Sequence, residues 1–103
     1  MRGISMGEKV SVDQDLKGLI PIFMNNREED VEKLKELLAA SDLERIKQLG
    51  HNLKGTGGGY GFDKITEFGR QIEEAAKEED EDSLEELIED LEIYLEEVEI
   101  TYQ

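Results

Sequence analysis

Apolar residues recur every three or four positions along most of the chain, which is the spacing of one face of an α-helix. The first run follows Pro21, a residue that suits the first turn of a helix, and it ends at "AAS", residues 39–41. Three further runs follow. The apolar positions of the four runs are Phe23, Val31, Leu34, Leu37 and Leu38; Leu43, Ile46, Leu49 and Leu53; Ile65, Phe68, Ile72, Ala75 and Ala76; and Leu84, Leu87, Ile88, Leu91, Leu95 and Val98.

Polar residues before three of these runs predict where the helices begin. Ser41 precedes the second run and is followed by Glu44, a spacing that indicates a capping box. Asp63 is a good N-cap for the third helix. Ser83 and Glu86 repeat the capping-box spacing before the fourth. The acidic stretch "KEEDED" separates the third helix from the fourth.

The predicted fold is all-α, an antiparallel up-and-down bundle of four helices with short connections. A short turn or helix over residues 13–19 leads into it, and residues 1–12 are expected to form a flexible tail ahead of a bundle domain at 13–103. No alternating run of β-branched residues predicts a strand. The apolar stripe of the last helix is interpreted as core and not as a dimer seam, so we expect a monomer.

The charge of the chain excludes several classes of partner. The formal net charge is -15, and no basic residue follows Lys77. Nucleic acid and anionic membrane surfaces are therefore disfavoured as partners, since both require a basic patch. No apolar run reaches the roughly 18 residues of a membrane span, and the start lacks the apolar segment of a signal peptide. The absence of cysteine fits a reducing cytoplasm, so we expect a cytoplasmic protein.

The stretch "GHNLKGTGGGYGF", residues 50–62, holds the only histidine of the chain. At about 100° per residue, an apolar stripe lies roughly 160° to 240° from His51 on the second helix. That stripe consists of Ile46, Leu49, Leu53, Gly57 and Tyr60. Four residues lie instead within roughly 60° of the histidine. These are Lys47, Lys54, Gly55 and Gly58. We therefore predict an exposed imidazole with lysines beside it and a glycine-bare surface next to it.

An accessible imidazole beside positive charge suits the acceptance and donation of a phosphoryl group. Imidazole ordinarily titrates near pH 6.5, so its neutral, nucleophilic form is abundant at neutral pH. A lysine one turn away would partly offset the charge of a phosphoryl group on nitrogen. Two plainer interpretations stay open at this point. A lone histidine is often only a surface residue, and a glycine-rich stretch is often only a loop, which Gly59 and Gly61 would form after the helix.

The segment "HNLKGTGGGYG" resembles the H-x-L-K-G-x-x-x-x-x-G signature of histidine-containing phosphotransfer (HPt) domains. The flanks, including "FGRQIEEAAKEED", are also similar to that family, and the resemblance runs from about Asp15 to Val98. It implies a phosphorelay intermediate in which His51 accepts the phosphoryl group and Lys54 stabilises it. Gly55 would admit the partner, with Lys47 and Gly58 also on the partner-facing side. The implied partners are receiver domains of response regulators and a histidine kinase. The glycines at 57–59, where many relatives carry alanine or serine, leave open where the helix ends.

Other chemistries lack their motifs. The spacing from Gly50 to Gly55 fits a phosphate-binding loop, but Thr56 stands where lysine is required, and Tyr60 breaks a G-x-G-x-x-G pattern. With one histidine and no cysteine, no zinc site is predicted, and no cofactor is expected. The chain is therefore interpreted as a phosphocarrier without its own nucleotide site, not as an enzyme. The alternative is a helical docking module, a pseudo-HPt that binds a kinase or receiver without being phosphorylated.

Overall fold

The computed structural model describes residues 8–103, which form four α-helices as the hydrophobic pattern predicts. Each helix packs against the next in sequence, and the first also packs against the last, so the four close into a bundle. The all-α prediction is thus confirmed. The helices are α1 (Ile20–Ala39), α2 (Leu43–Gly57), α3 (Asp63–Lys77) and α4 (Glu81–Glu97). Short 3₁₀ segments at Gln14–Leu19 and Gly58–Tyr60 precede α1 and follow α2.

Most of the core is built from the apolar positions that the helical period selects, and Val12, Ile20, Phe62 and Tyr94 complete it. Every helix contributes side chains that are fully buried, and Pro21 occupies the first turn of α1 as predicted. Representative core residues are Leu34 of α1, Ile46 of α2, Ile65 and Ile72 of α3, and Leu84 and Leu91 of α4. Within residues 8–103, no helix is long and apolar enough to cross a membrane.

The helix starts differ from the predicted caps, and the turn between α1 and α2 shows why. Ser41 has a left-handed backbone (φ 52°), and its N–H donates to the Leu38 carbonyl, while the Asp42 N–H donates to the Leu37 carbonyl. This is a Schellman ending of α1. Since Ser41 ends one helix, the cap of the next falls to Asp42, whose carboxylate accepts from the Arg45 N–H. The prediction of Ser41 as the N-cap was wrong by one residue.

The other two connections repeat this arrangement. Glu79 is left-handed (φ 56°) and is followed by Asp80, which accepts hydrogen bonds from the Ser83 backbone N–H and hydroxyl and so caps α4 in place of Ser83. Between α2 and α3 the left-handed residue is Gly61 (φ 86°), and Phe62 occupies the N-cap position without a side-chain cap. Asp63 is the first residue of α3, not its cap.

Two short strands, β1 (Lys9–Val12) and β2 (Glu99–Tyr102), pair in parallel and bring the two ends of the described chain together. Val12 is only 1% exposed, so this segment contributes to the core. Of the predicted tail at residues 1–12, residues 1–7 lie outside the described part of the chain, and residues 9–12 are a strand instead. Four-residue strands about ninety positions apart leave no local pattern that a sequence reading can detect.

Candidate functional site

The site is centred on His51, which α2 holds on the outer surface of the bundle. Its side chain is 64% exposed, whereas Ile46, Leu53 and Gly57 on the opposite side of the helix are buried. The orientation that the helical period predicts is therefore the one the structure has. Because the imidazole makes no part of the core, its presence has no packing explanation.

A carboxylate that the sequence reading did not select, Glu73 of α3, lies beside the histidine. Its Oε2 is 3.2 Å from the His51 Nδ1, and its Oε1 is 3.0 Å from the Lys54 Nζ. One carboxyl group thus joins two residues that stand one turn apart on α2. The Glu73 side chain is only 13% exposed, so a largely buried carboxylate contacts a histidine whose own side chain is mostly exposed.

The charge of Glu73 determines which nitrogen of His51 carries the proton. The hydrogen bond from Lys54, with a smaller contribution from His51, lowers the pKa of the Glu73 carboxyl below its ordinary value. At neutral pH the group is a carboxylate, which can only accept hydrogen bonds. The Nδ1 of His51 must therefore donate, and in the neutral ring the lone pair resides on Nε2.

The lowered pKa also fixes the pH range in which this arrangement is stable. A depressed carboxyl pKa contributes stability above the ordinary value of the group, and the contribution is lost as the pH falls through the depressed value. The Glu73 contacts are thus fully present at neutral pH and disappear only under acidic conditions.

The predicted lysines have different surroundings. Lys54 is bound to Glu73, whereas the Lys47 ammonium lies 2.9 Å from the Glu44 Oε2, one turn back along α2. Lys47 still borders the shallow depression around the histidine, together with Gln48, His51, Asn52 and Glu73. The structure therefore places both lysines near the imidazole, but only Lys54 shares its carboxylate.

The glycines at the end of α2 and just after it fall into two groups, as the sequence predicts. A Cβ built on Gly55 would meet no described atom within 4 Å, and one on Gly58 would meet only the Thr66 Oγ1, at 3.7 Å. Both residues are exposed. A Cβ on Gly57 would instead lie 2.7 Å from the Phe62 carbonyl oxygen and the Thr66 nitrogen, so this glycine permits α3 to approach closely.

The helix ends within the glycine run, so Gly59 and Gly61 follow it as the sequence predicts. The connection is then anchored by aromatic rings. Phe23 of α1 lies 4.5 Å from Tyr60 and 5.2 Å from Phe62, measured between ring centroids. The exposed surface at Gly55 and Gly58 is therefore followed directly by residues that pack against α1.

The sequence does not single out Glu73, because Glu73 is one of 27 acidic residues in this chain. The signal that could have found it is its place at the edge of the apolar face of α3, directly after the buried Ile72 and one turn before the buried Ala76. That signal shows partial burial, but it does not reveal which helix lies opposite. Among residues 8–103, no group of three or more acidic or histidine side chains could hold a metal ion.

Comparison with protein families identifies the chain. The family model described as Hpt domain matches residues 18–101, which include all four helices and the site. The chain belongs to the Hpt domain family. No curated protein and no solved structure matches it. Membership implies phosphotransfer in two-component signalling, by a carrier module that lacks a nucleotide site of its own, with receiver domains and kinases as the class of partner.

Proposed function

We propose that this Hpt domain is a phosphorelay intermediate that accepts a phosphoryl group on Nε2 of His51 and exchanges it with an aspartate of a receiver domain. The observation that carries the proposal is the hydrogen bond of 3.2 Å between the His51 Nδ1 and Glu73. It holds the ring in the form whose lone pair is on Nε2, in a side chain that protrudes from the bundle. A receiver or a histidine kinase supplies the phosphoryl group.

The transfer needs no further reactant. The Nε2 lone pair attacks the phosphorus of an aspartyl phosphate, a nitrogen–phosphorus bond forms, and the phosphorus–oxygen bond to the aspartate breaks. The aspartate leaves as a carboxylate. The ring gains positive charge, which Glu73 stabilises through the proton that stays on Nδ1. The reverse sequence returns the phosphoryl group to a receiver.

Lys54 has two roles in this proposal. In the resting domain its ammonium is paired with Glu73. After transfer, the same ammonium, one turn from His51, offsets the negative charge of the phosphoryl oxygens. Lys47 borders the depression around the ring, and Gly55 and Gly58 leave the adjoining surface open for the partner.

The domain is proposed to act as a monomer in the cytoplasm, where its partners would encounter it. The apolar stripe of α4 is used up in the core, since Leu84, Leu91 and Leu95 are buried. Among residues 8–103, only Leu19 and Ile22 are large apolar residues that stand exposed, too little for a stable dimer interface.

The experiment that tests the function is incubation of the purified domain with a phosphorylated receiver. We expect acid-labile phosphate on the wild-type domain, none on His51→Gln, and none when the wild-type domain is given ATP alone. The His51→Gln variant should melt like the wild type, because the ring is outside the core. Receiver binding without phosphate transfer would contradict the proposal and would favour the docking module. Labelling by ATP in a kinase-free sample would contradict the absence of a nucleotide site.

A further inference from the structure

Helices α2 and α3 touch backbone to backbone at two glycines. A Cβ built on Gly50 would lie 2.8 Å from the backbone nitrogen of Glu73 and 3.0 Å from the Gly69 carbonyl oxygen. Contacts below 3.0 Å are essentially never made by real Cβ atoms. Any residue other than glycine at position 50 would therefore force α3 away from α2.

The contact is reciprocal. A Cβ on Gly69 would overlap the backbone nitrogen of Lys54 and would lie 2.7 Å from the Gly50 carbonyl oxygen. Each glycine also stands four residues before a charged residue of the site, Gly50 before Lys54 and Gly69 before Glu73. Each glycine thus abuts the backbone of the charged residue on the opposite helix.

We propose that Gly50 and Gly69 are positioning residues that set the separation of α2 and α3 so that one carboxylate, Glu73, reaches both His51 and Lys54. The inference rests on the proposed function, in which this carboxylate orients the imidazole. It goes further in assigning the orientation to a pair of glycines that touch neither the imidazole nor the partner.

The separation of α2 and α3 matters because the contact between His51 and Glu73 tolerates little additional distance. Ordinary van der Waals contact of a Cβ begins near 3.4 Å, so Gly50→Ala requires α3 to retreat by about 0.6 Å (3.4 − 2.8). The Nδ1–Oε2 distance is already 3.2 Å, at the long end for a hydrogen bond of this kind. A retreat of that size carries it out of range. From the displaced α3, the Glu73 carboxylate would have to span the wider gap to two partners on α2 at once, the His51 Nδ1 and the Lys54 Nζ.

The test compares Gly50→Ala and Gly69→Ala with Gly18→Ala, a matched substitution far from the site whose added methyl meets no described atom within 4 Å. The first readout is the tautomer of His51, measured from its ring nitrogens by NMR. We expect the Nδ1–H form to lose population in both site variants and to be unchanged in Gly18→Ala.

The second readout is the rate of phosphate transfer per folded molecule, which should fall about tenfold or more, as expected when a charged hydrogen bond is lost. An unchanged tautomer in folded Gly50→Ala would overturn the proposal.

A double-mutant cycle separates positioning from packing. Glu73→Ala removes the carboxylate without touching the helix contact, and we expect it to shift the tautomer as Gly50→Ala does. If the glycine acts through Glu73, the two changes together should shift the tautomer and the rate no further than Glu73→Ala alone. Additive effects would show that Gly50 acts by another route and would overturn the proposal.

Folding is controlled separately, because Gly69→Ala is the harsher substitution. All variants are measured in trimethylamine N-oxide, which favours the folded state. If neither glycine variant folds there, the glycines are required for packing as such and the positioning role is wrong. The tautomer readout needs no phosphate, so an altered tautomer with no transfer even in the wild type would contradict the proposed function and leave the positioning role intact.

Discussion

At the scale of single residues, glycine has two different uses within helix α2. Gly50 and Gly57 are buried against the backbone of α3, where any side chain would collide. Gly55 is exposed, and an added methyl there would meet no described atom within 4 Å. Glycine costs about 1 kcal/mol relative to alanine inside a helix. At position 55 no close contact with a described atom requires glycine, so packing does not explain this cost. We propose that glycine is kept at this position to give a partner access to His51.

The substitution Gly55→Gln tests this reason. Because Gly55 lies in regular helix with open space around it, we expect glutamine to stabilise the fold by a few tenths to about 1 kcal/mol. Transfer from a phosphorylated receiver should nevertheless slow sharply, because the new side chain fills the surface next to His51. Urea melts and transfer kinetics on one sample measure both effects. The control is Gly57→Ala, which should destabilise the fold. A normal transfer rate in Gly55→Gln would refute the access explanation.

At the scale of elements, the three helix connections share one device, a left-handed residue followed directly by the N-cap residue of the next helix. Ser41, Gly61 and Glu79 are the left-handed residues. Only the connection at Gly61 uses the residue type that adopts this conformation without strain. At Ser41 and Glu79 the left-handed backbone is strained, and local hydrogen bonds offset that strain.

The turn between α1 and α2 allows this assignment to be tested. Asp42→Ala removes the side-chain cap and should lower the free energy of unfolding by about 1 kcal/mol. Ser41→Gly should raise it by up to about 1 kcal/mol, because glycine relieves the left-handed strain, even though an exposed hydrogen bond to Glu81 is lost. Urea denaturation of these two variants and of Ser41→Ala is the measurement. A larger loss for Ser41→Ala than for Asp42→Ala would restore Ser41 as the cap.

The β1–β2 pair makes a second prediction at this scale. Val12 is 1% exposed, so Val12→Ala should lower the free energy of unfolding by about 2 kcal/mol. Lys9→Ala, in the same strand but exposed, should change it by less than about 0.5 kcal/mol. Equal, small effects of the two substitutions would mean that residues 9–12 behave as a tail after all.

At the scale of the whole molecule, Tyr94 connects burial to pH. Its side chain is 1% exposed, and no described residue makes a hydrogen bond with its hydroxyl. Burial, assisted by the nearby carboxylates Glu8 and Asp63, raises its pKa from 10.0 to about 12. The unfolded chain releases this proton at the lower value. The stability that the protonated Tyr94 phenol contributes is therefore complete below pH 10 and is lost as the pH rises through about 12.

Tyr94→Phe isolates this contribution. At pH 7 the variant should be as stable as the wild type or more stable by about 1 kcal/mol, because a buried hydroxyl without a partner is removed. Between pH 10 and 12 the wild type should lose stability faster than the variant, which has no proton to release there. Urea melts across this range make the comparison. Parallel losses in the two proteins would show that the Tyr94 phenol is not responsible.

What the sequence by itself determined is where the helices lie and which face of its helix each residue occupies. The spacing of apolar residues set the four helices and the core, and the same period placed His51, Lys54 and Gly55 on one face and Gly57 on the other. The tertiary structure alone decided which side chains meet across helices and termini. Glu73 reaches His51 and Lys54 only because α3 lies against α2 at Gly50 and Gly69, and β1 exists only because β2 returns beside it. The period of a helix shows which way a residue faces, but its partner depends on how close two backbones can come.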